Sequence, residues 1–513
     1  MPDPDIVLIG AGPNGLAAAC RLARAGLSTL VVEADPDRPG GAVGTVEGTL
    51  PGFRHDVGAA FFPWGRLSPA FRALRLEDVG LRWILAPIDS CHPARDGTVA
   101  IVGRDLPRCE AHFGSPEDGA ALGRIVRWYR SIEPRLLAAL LAPLPPVRAA
   151  LRLLPEAPRL AGVFLRSGAG FARRHFRSEA ARRVFPGLAL HVDVGPEDRF
   201  GAALGFMLGM TATTGGYAIP EGGAQAVADA LVRRLASYGG RIVLGARVRR
   251  IVVRDGRARA VVLEDGREIP ARRAVVADTC VAALLLDLVG RSEVPPFVAD
   301  FLARYPRGFG TFKIDWALAA PVPWTEPLAH DSAVVHAGES LSDLARFTAE
   351  VRGGRIPRDP YLVIGQQSRF DATRAPAGGH TLWAYSRVPS RVAGGWRTHA
   401  DAFADAVETR IEQLAPGFRS TIRARRIHTP DDLERMDANL VGGDLGGGSN
   451  AWHRQLVFRP IFPYFRHRMP VGGLYLASSY AHPGAGVHGM CGWNAAARVL
   501  ADLRIREPTA ACP

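Results

Sequence analysis

Near its start the chain reads Ile6-Val-Leu-Ile-Gly10-Ala-Gly12-Pro-Asn-Gly15, passes through an alanine-rich segment to Gly26, and continues Leu27-Ser-Thr-Leu-Val-Val-Glu33. Two short Ile/Val/Leu runs flank Leu16, Ala19, Leu22 and Ala23 at helical spacing, which predicts strand, helix, strand. Gly10 turns the chain sharply off the first strand, Gly12 lets backbone approach a pyrophosphate, and Gly15 lets the helix pack close to the sheet. The helix N-terminus then offers free N–H groups and a positive dipole end to a diphosphate. Glu33 closes the second strand, where a carboxylate accepts hydrogen bonds from an adenosine ribose and disfavours the 2′-phosphate of NADP. A glycine turn alone would say little, but strand, glycine loop, helix and terminal acid in this order point to a dinucleotide site.

Composition sets outer limits. With 513 residues, 47 % of them apolar, the chain can bury a large core and is expected to form two domains. A formal charge of +13 raises nucleic acid or an anionic membrane surface as partners. Of the 63 basic residues, however, only Lys313 is a lysine, and Ala, Gly and Pro are abundant too. That bias runs along the whole chain rather than forming a patch, so no nucleic acid is expected. The six cysteines, Cys20, Cys91, Cys109, Cys280, Cys491 and Cys512, form no C-x-x-C pair, which sets aside a redox dithiol and a zinc ribbon. They read as small buried or free thiols of a reducing compartment, and no metal site is expected. The first strand begins almost at once, without a charged leader or cleavable apolar stretch, so a cytoplasmic location is expected.

Beyond Glu33 come Arg38-Pro-Gly40-Gly41-Ala42, then Pro51-Gly-Phe and Asp56-Val-Gly58. Paired glycines here allow backbone to lie against a second phosphate or a ribityl chain, and equally suit a flexible turn. The run E-x(n)-R-x-G-G, then P-G-F and D-x-G, resembles the flavoprotein family of phytoene desaturases, carotenoid isomerases and their uncharacterised pyridine nucleotide-disulfide oxidoreductase domain 2-like relatives. The resemblance makes the dinucleotide FAD. Many related flavoproteins carry Arg directly after the glycine pair where this chain has Ala42, so neutralising the diphosphate would fall to backbone and Arg38.

Further along, Gly215-Gly-Tyr217-Ala-Ile-Pro220-Glu-Gly222-Gly223 precedes a helical pattern and strand patterns at 241–244, 247–251, 258–263 and 274–277. Taken alone this is a second α/β segment returning to the first sheet. The resemblance makes it the second cofactor segment, with the Val248 backbone against the adenine. Near the end, Gly473 to Ser479 and His482-Pro-Gly-Ala-Gly486-Val487-His488-Gly489 run from a strand through a glycine loop into a helix to about Leu503. This is similar to the family's closing H-P-G-x-G-x-x-G motif, which lies under the flavin ring with the helix dipole toward it. The implied contacts are Ser479, Val487, His488 and Gly489. Ser478-Ser479 stands where relatives have Gly and a small or acidic residue. His488 replaces their usual Thr or Pro and is a candidate catalytic group, whereas His482 belongs to the motif itself.

Two segments interrupt the cofactor motifs. Residues 70–210 read as a mixed, mostly helical insertion, within which 134–177 holds eight arginines and Glu156 as its one acid. Pro143, Pro145, Pro146, Pro155 and Pro158 break any spanning helix there. Such a segment could dip into a bilayer surface or cap the active site. In 291–440, alternating runs at 310–318, 361–364 and 381–385 read as strands, and the resemblance makes them the floor of the substrate cavity. Lys313 is a compact point charge where every other basic position is Arg. It is a candidate catalytic residue for tuning the flavin, holding a water or binding an anion, or else a chance survivor at a sheet edge.

The expected architecture is α/β: a Rossmann-type FAD-binding domain of the p-hydroxybenzoate hydroxylase or amine oxidase kind, formed by 1–70, 215–290 and 441–513. Interleaved with it is a mixed α+β substrate or cap domain of 71–214 and 291–440. The implied activity is an FAD-dependent desaturase or dehydrogenase. FAD would take a hydride from an apolar terpenoid, carotenoid or acyl-like substrate while a base or water takes the neighbouring proton. No second G-x-G-x-x-G follows a strand, so oxygen or a quinone is the expected electron acceptor. A flavin amine oxidase is a rival that would need an aromatic pair facing the flavin, and a reduced-flavin isomerase or saturase is another. Prenyl-binding escort proteins share the architecture without needing flavin, but the intact glycine motifs and Glu33 speak against that reading.

Overall fold

A computed structural model describes residues 3–507. Cys512 lies outside the described residues, and the other five cysteines are free and buried.

The strands Ile6–Ile9 and Thr29–Val32 are buried at every residue. Both faces of a parallel sheet are covered, which is why such strands read as unbroken apolar runs. They pair in parallel with Ile6 opposite Thr29 and Ile9 opposite Val32. The full sheet has five strands in the order Leu474–Leu476, Ala274–Ala277, Ile6–Ile9, Thr29–Val32, Arg241–Val243, with every neighbouring pair parallel. Helix Pro13–Arg24 follows the first strand, with proline in its first turn, where a missing N–H is no loss. It packs against helix Met490–Asp502 at very close range, because a Cβ on Gly492 would overlap the carbonyl of Asn14. On the other face lies an antiparallel meander of Val248–Arg254, Arg257–Leu263 and Glu268–Pro270. Its Ile251, Val261 and Leu263 share one buried cluster with Val7, Val275 and Leu476.

A second sheet has seven strands, in the order Ile422–His428, Gly310–Leu318, His380–Val388, Leu362–Gly365, Ser332–Ala337, Ile88–Pro93, Val99–Val102. Its neighbours are antiparallel except Ser332–Ala337 beside Ile88–Pro93. Alternation such as that of Gly310–Leu318 normally marks a strand with one wet face, yet all nine of its residues are buried. Phe312 and Trp316 pack on Trp396, Phe403 and Phe418. On the opposite face Asp315 meets Lys313, His428 and His55 instead of water.

A buried guanidinium links the short hairpin strand Arg54–Asp56 to the 371–374 turn that precedes strand His380–Val388. Arg374 donates to Asp56 at 2.8 Å and to Asp371 at 3.0 Å. The same carboxylates accept the N–H groups of Ala224 at 2.8 Å and Gly222 at 2.9 Å. The Gly222–Ala224 turn is thereby fixed against this cluster. Most of 106–212 is helical, the longest helix being Pro116–Leu140, whose first turn is capped by the Ser115 hydroxyl accepting the Asp118 N–H at 3.2 Å. Among the described residues no helix is long and apolar enough to cross a membrane.

Candidate functional site

A cavity of about 850 Å³ lies between the two sheets, within the usual range for a small-molecule site. One end is built by the first βαβ unit. Gly10, Gly12, Glu33, Arg38, Gly41 and Val248 all line it. Gly10 has φ +90°, and a Cβ there would stand 2.8 Å from the Asp278 carbonyl oxygen. One on Gly12 would stand 2.5 Å from Asp278 Oδ2, and one on Gly15 would overlap the Gly10 carbonyl. No side chain caps the helix at Gly12; Pro13 has no N–H and Asp278 takes that of Gly15, so the first turn offers the cavity the Asn14 N–H. Glu33 is pinned at the edge by the N–H groups of Ala11 (2.6 Å) and Asp35 (2.9 Å). Arg38 donates to the Gly41 carbonyl at 3.1 Å, bracing the glycine pair. A turn with no room for a Cβ at Gly10, Gly12 or Gly15, a helix N-terminus aimed at the cavity and a pinned acid suit FAD. Gly10, Gly12 and Gly41 would hold its diphosphate, Glu33 its ribose and Val248 its adenine.

Ser479 and Val487 also line the cavity. Gly15 and Gly40 lie behind the wall and act by shaping the turn. Gly489 is the N-cap of the last helix, packed on Phe71 and Ala17 rather than facing the cavity. His488 needs correction in both expected roles. Its ring is buried, its Nδ1 accepts the Met490 N–H at 3.0 Å, and its carbonyl accepts the Ser68 hydroxyl. Burial pulls its pKa down to about 4, so it is a neutral helix cap that does not reach the cavity wall. His482 is likewise structural, bonded through Nε2 to the Ala142 carbonyl at 3.1 Å.

Lys313 is also displaced from its expected catalytic role. It is buried in an ion pair with Asp315, whose other oxygen takes His428 Nε2 at 3.0 Å, while His55 Nδ1 stands 3.7 Å away. Burial pushes Asp315 up, but Lys313 and the His428 bond outweigh it and hold the carboxyl far below its usual range. Register explains the pair: residues two apart on a strand share a face. None of this cluster lines the cavity.

Sequence reasoning missed Asp278 and Asp437, both on the cavity wall. Asp278 directly follows strand Ala274–Ala277, and an acid at the carboxyl end of a parallel strand was a usable signal. Its Oδ2 accepts the Gly15 N–H at 2.7 Å. Burial pushes its pKa up to about 7; the Gly15 bond opposes this, and the carboxylates of Asp437 and Glu33 add to it. The unfolded value is near 4, so this carboxyl's contribution to stability is fully present below about pH 4 and is lost as pH rises toward 7. An FAD diphosphate beside it would raise its pKa further. FAD affinity should therefore be flat below about pH 7 and fall above it, roughly tenfold per unit while binding takes up one proton. Asp278→Asn, measured by flavin fluorescence quenching from pH 6 to 9, is expected to abolish that slope. An unchanged slope would place the titration elsewhere.

The inner end of the cavity is apolar and aromatic. Leu188, Leu204, Met207 and Leu208 face the rings of Phe61, Trp383 and Tyr385. Trp383 stacks on Phe61 at 6.0 Å and on Tyr385 at 5.9 Å. Tyr385 Oη bonds His191 Nδ1 at 2.9 Å, His191 Nε2 meets His336 Nε2 at 2.7 Å, and the chain continues through Ser90 (3.0 Å) to His92 (2.9 Å). Burial lowers the pKa of all three histidines, His336 to about 3. The chain is therefore neutral and can run in either direction. No sequence spacing signalled it, because it joins four separate stretches of chain.

The flavin containing amine oxidoreductase family model matches residues 14–287. Over 98 % of its length the chain is 29 % identical to mouse pyridine nucleotide-disulfide oxidoreductase domain-containing protein 2, covering 94 % of that protein. It is 28 % identical to hydroxyneurosporene desaturase of Cereibacter sphaeroides over 98 % of this chain and 99 % of that one. Among solved structures, cyclohexylamine oxidase from Brevibacterium oxydans superposes with a TM-score of 0.60 at 18 % identity, covering 98 % of this chain and all of that one.

Proposed function

Because the chain belongs to the flavin containing amine oxidoreductase family, and is thus an FAD-dependent oxidoreductase, we propose that it is a desaturase acting on an apolar substrate. FAD, when bound, supplies a two-electron acceptor for a hydride. The observation that carries the reading is the apolar chamber of Leu188, Leu204, Met207, Leu208 and the stacked rings, continuous with the glycine cradle. Such a chamber excludes bulk water while the C–H bond is held. Burial pushes the Tyr385 hydroxyl up to about 12, so it keeps its own proton and serves as a hydrogen-bond donor, and the neighbouring proton of the substrate goes to a water molecule. Likeness to the Cereibacter desaturase supports this choice.

An amine oxidase is the second reading, favoured by the fold shared with cyclohexylamine oxidase. The aromatic wall weighs against it: ring centroids 5.9 and 6.0 Å apart are packed on one another, leaving no slot in which to sandwich an amine. Oxygen or a quinone is the proposed acceptor. The exposed Val147, Leu151, Leu154 and Leu165 suit peripheral contact with a bilayer. In an anaerobic cuvette the FAD-loaded protein should lose its visible flavin absorbance with saturated terpenoid or acyl substrates and keep it with primary amines. Bleaching by amines alone would replace the desaturase by an amine oxidase.

A further inference from the structure

We propose that Arg387 is an anion-receiving residue at the inner end of the cavity, so that the substrate is an apolar or aromatic molecule bearing one carboxylate. This rests on reading that end as the substrate chamber. Arg387 sits on strand His380–Val388, is 3 % exposed, and lines the cavity. Its Nη1 donates to Thr311 Oγ1 at 2.6 Å and its Nε to the Leu190 carbonyl at 3.4 Å, and the guanidinium lies 5.0 Å over the Tyr385 ring. Among the described residues it forms no ion pair, and Nη2 donates to nothing.

Arg183 and Arg410 also keep unpartnered buried nitrogens, but neither lines the cavity, and two further buried guanidiniums are engaged by acceptors. Arg374 lies between two carboxylates. Arg459 directs its donors at the carbonyls of Gly446, Gly447, Ser449 and Ser479. A buried charge with an open donor and no counter-ion is costly unless a ligand completes it. Nearby acids do not serve. The Asp444 carboxylate accepts the N–H groups of Gly308 (2.8 Å), Gly446 (2.7 Å) and Gly448 (2.9 Å). Asp193 is held by Ser449 Oγ (2.6 Å) and the Asn450 N–H (2.7 Å). Neither makes an ion pair with Arg387. The histidine chain adds a second donor: when it runs from His92 toward Tyr385, the Tyr385 hydroxyl is free to donate into the cavity. A planar carboxylate can accept from Nη2 and this hydroxyl together.

The test is calorimetric titration of FAD-loaded protein with 4-phenylbutyrate and with its neutral amide. The acid should bind at least about tenfold more tightly than the amide, as a charge-assisted bond requires. Arg387→Met should remove that preference while leaving amide affinity within about threefold, and Arg387→Lys, which keeps charge but loses the fork, should retain part of it. Equal affinities for acid and amide in the wild type, no binding of either, or undiminished preference in Arg387→Met would overturn the proposal. The wild-type comparison decides even where a variant fails to fold. Failure of the desaturase reading shows separately, as flavin that no apolar substrate bleaches.

Discussion

Gly15→Val is expected to purify with little flavin and to bind added FAD roughly 5- to 150-fold more weakly than wild type, since overpacking of this kind costs roughly 1–3 kcal/mol. A Cβ at this position overlaps the Gly10 carbonyl and stands 3.0 Å from both Asp278 Cβ and Leu8 Cδ2. The obstacle is backbone, which cannot rotate away as a flexible side chain can. Relief requires the helix Pro13–Arg24 to move off the strand that launches it, which opens the turn holding Gly10 and Gly12. The Gly15 N–H would also lose Asp278, leaving a buried carboxyl without a partner. Gly162→Ala is the control: no atom lies within 4 Å of the Cβ it would gain, and loss of a helical glycine should be neutral or stabilising by about 0.5–1 kcal/mol. Flavin-to-protein absorbance ratios of the two variants give the comparison. A yellow Gly15→Val protein with wild-type affinity would mean that the turn does not carry the cofactor.

Arg374→Met should lower unfolding stability by about 3–5 kcal/mol, because it strands two buried carboxylates. Asp56 and Asp371 are each about 1 % exposed at the side chain in these pairs. Both also hold backbone N–H groups of the Gly222–Ala224 turn, so damage should reach beyond the ion pair. Denaturant titration should show an earlier midpoint, and the FAD content of the folded fraction should fall with it. Asp56→Asn and Asp371→Asn in the Arg374→Met background remove the stranded charges and should recover part of the loss. If Arg374→Met unfolds at the wild-type midpoint, this cluster does not hold the hairpin and the Gly222–Ala224 turn in place.

These features differ in how far the chain betrays them. The cradle is local: its turn, helix and closing acid fall within 28 consecutive positions, and the physical demands on each glycine act over a few ångströms, so spacing alone exposes them. Asp278 joins that cradle from far along the chain, and only its place after a parallel strand hints at it. Arg387, Tyr385 and His191 had no such hint. Arginine is the commonest basic residue of this chain, and its role at 387 depends on which neighbours the fold withholds from it. Lys313 illustrates the opposite error. Its rarity drew attention, but a strand places it two residues from Asp315 on one face, and the pair neutralises itself away from the cavity. His488 fails as a catalyst for a comparably local reason, since its Nδ1 accepts the Met490 N–H at the start of the last helix.

The most direct measurement is the mass of the product from a single anaerobic turnover of the FAD-loaded protein with an apolar carboxylic acid. The expected product is lighter by one pair of hydrogens, carries a new C=C bond, and forms in one-to-one ratio with flavin reduced. A product of unchanged mass, or a carbonyl compound released with ammonia from an amine, would contradict desaturation at this site.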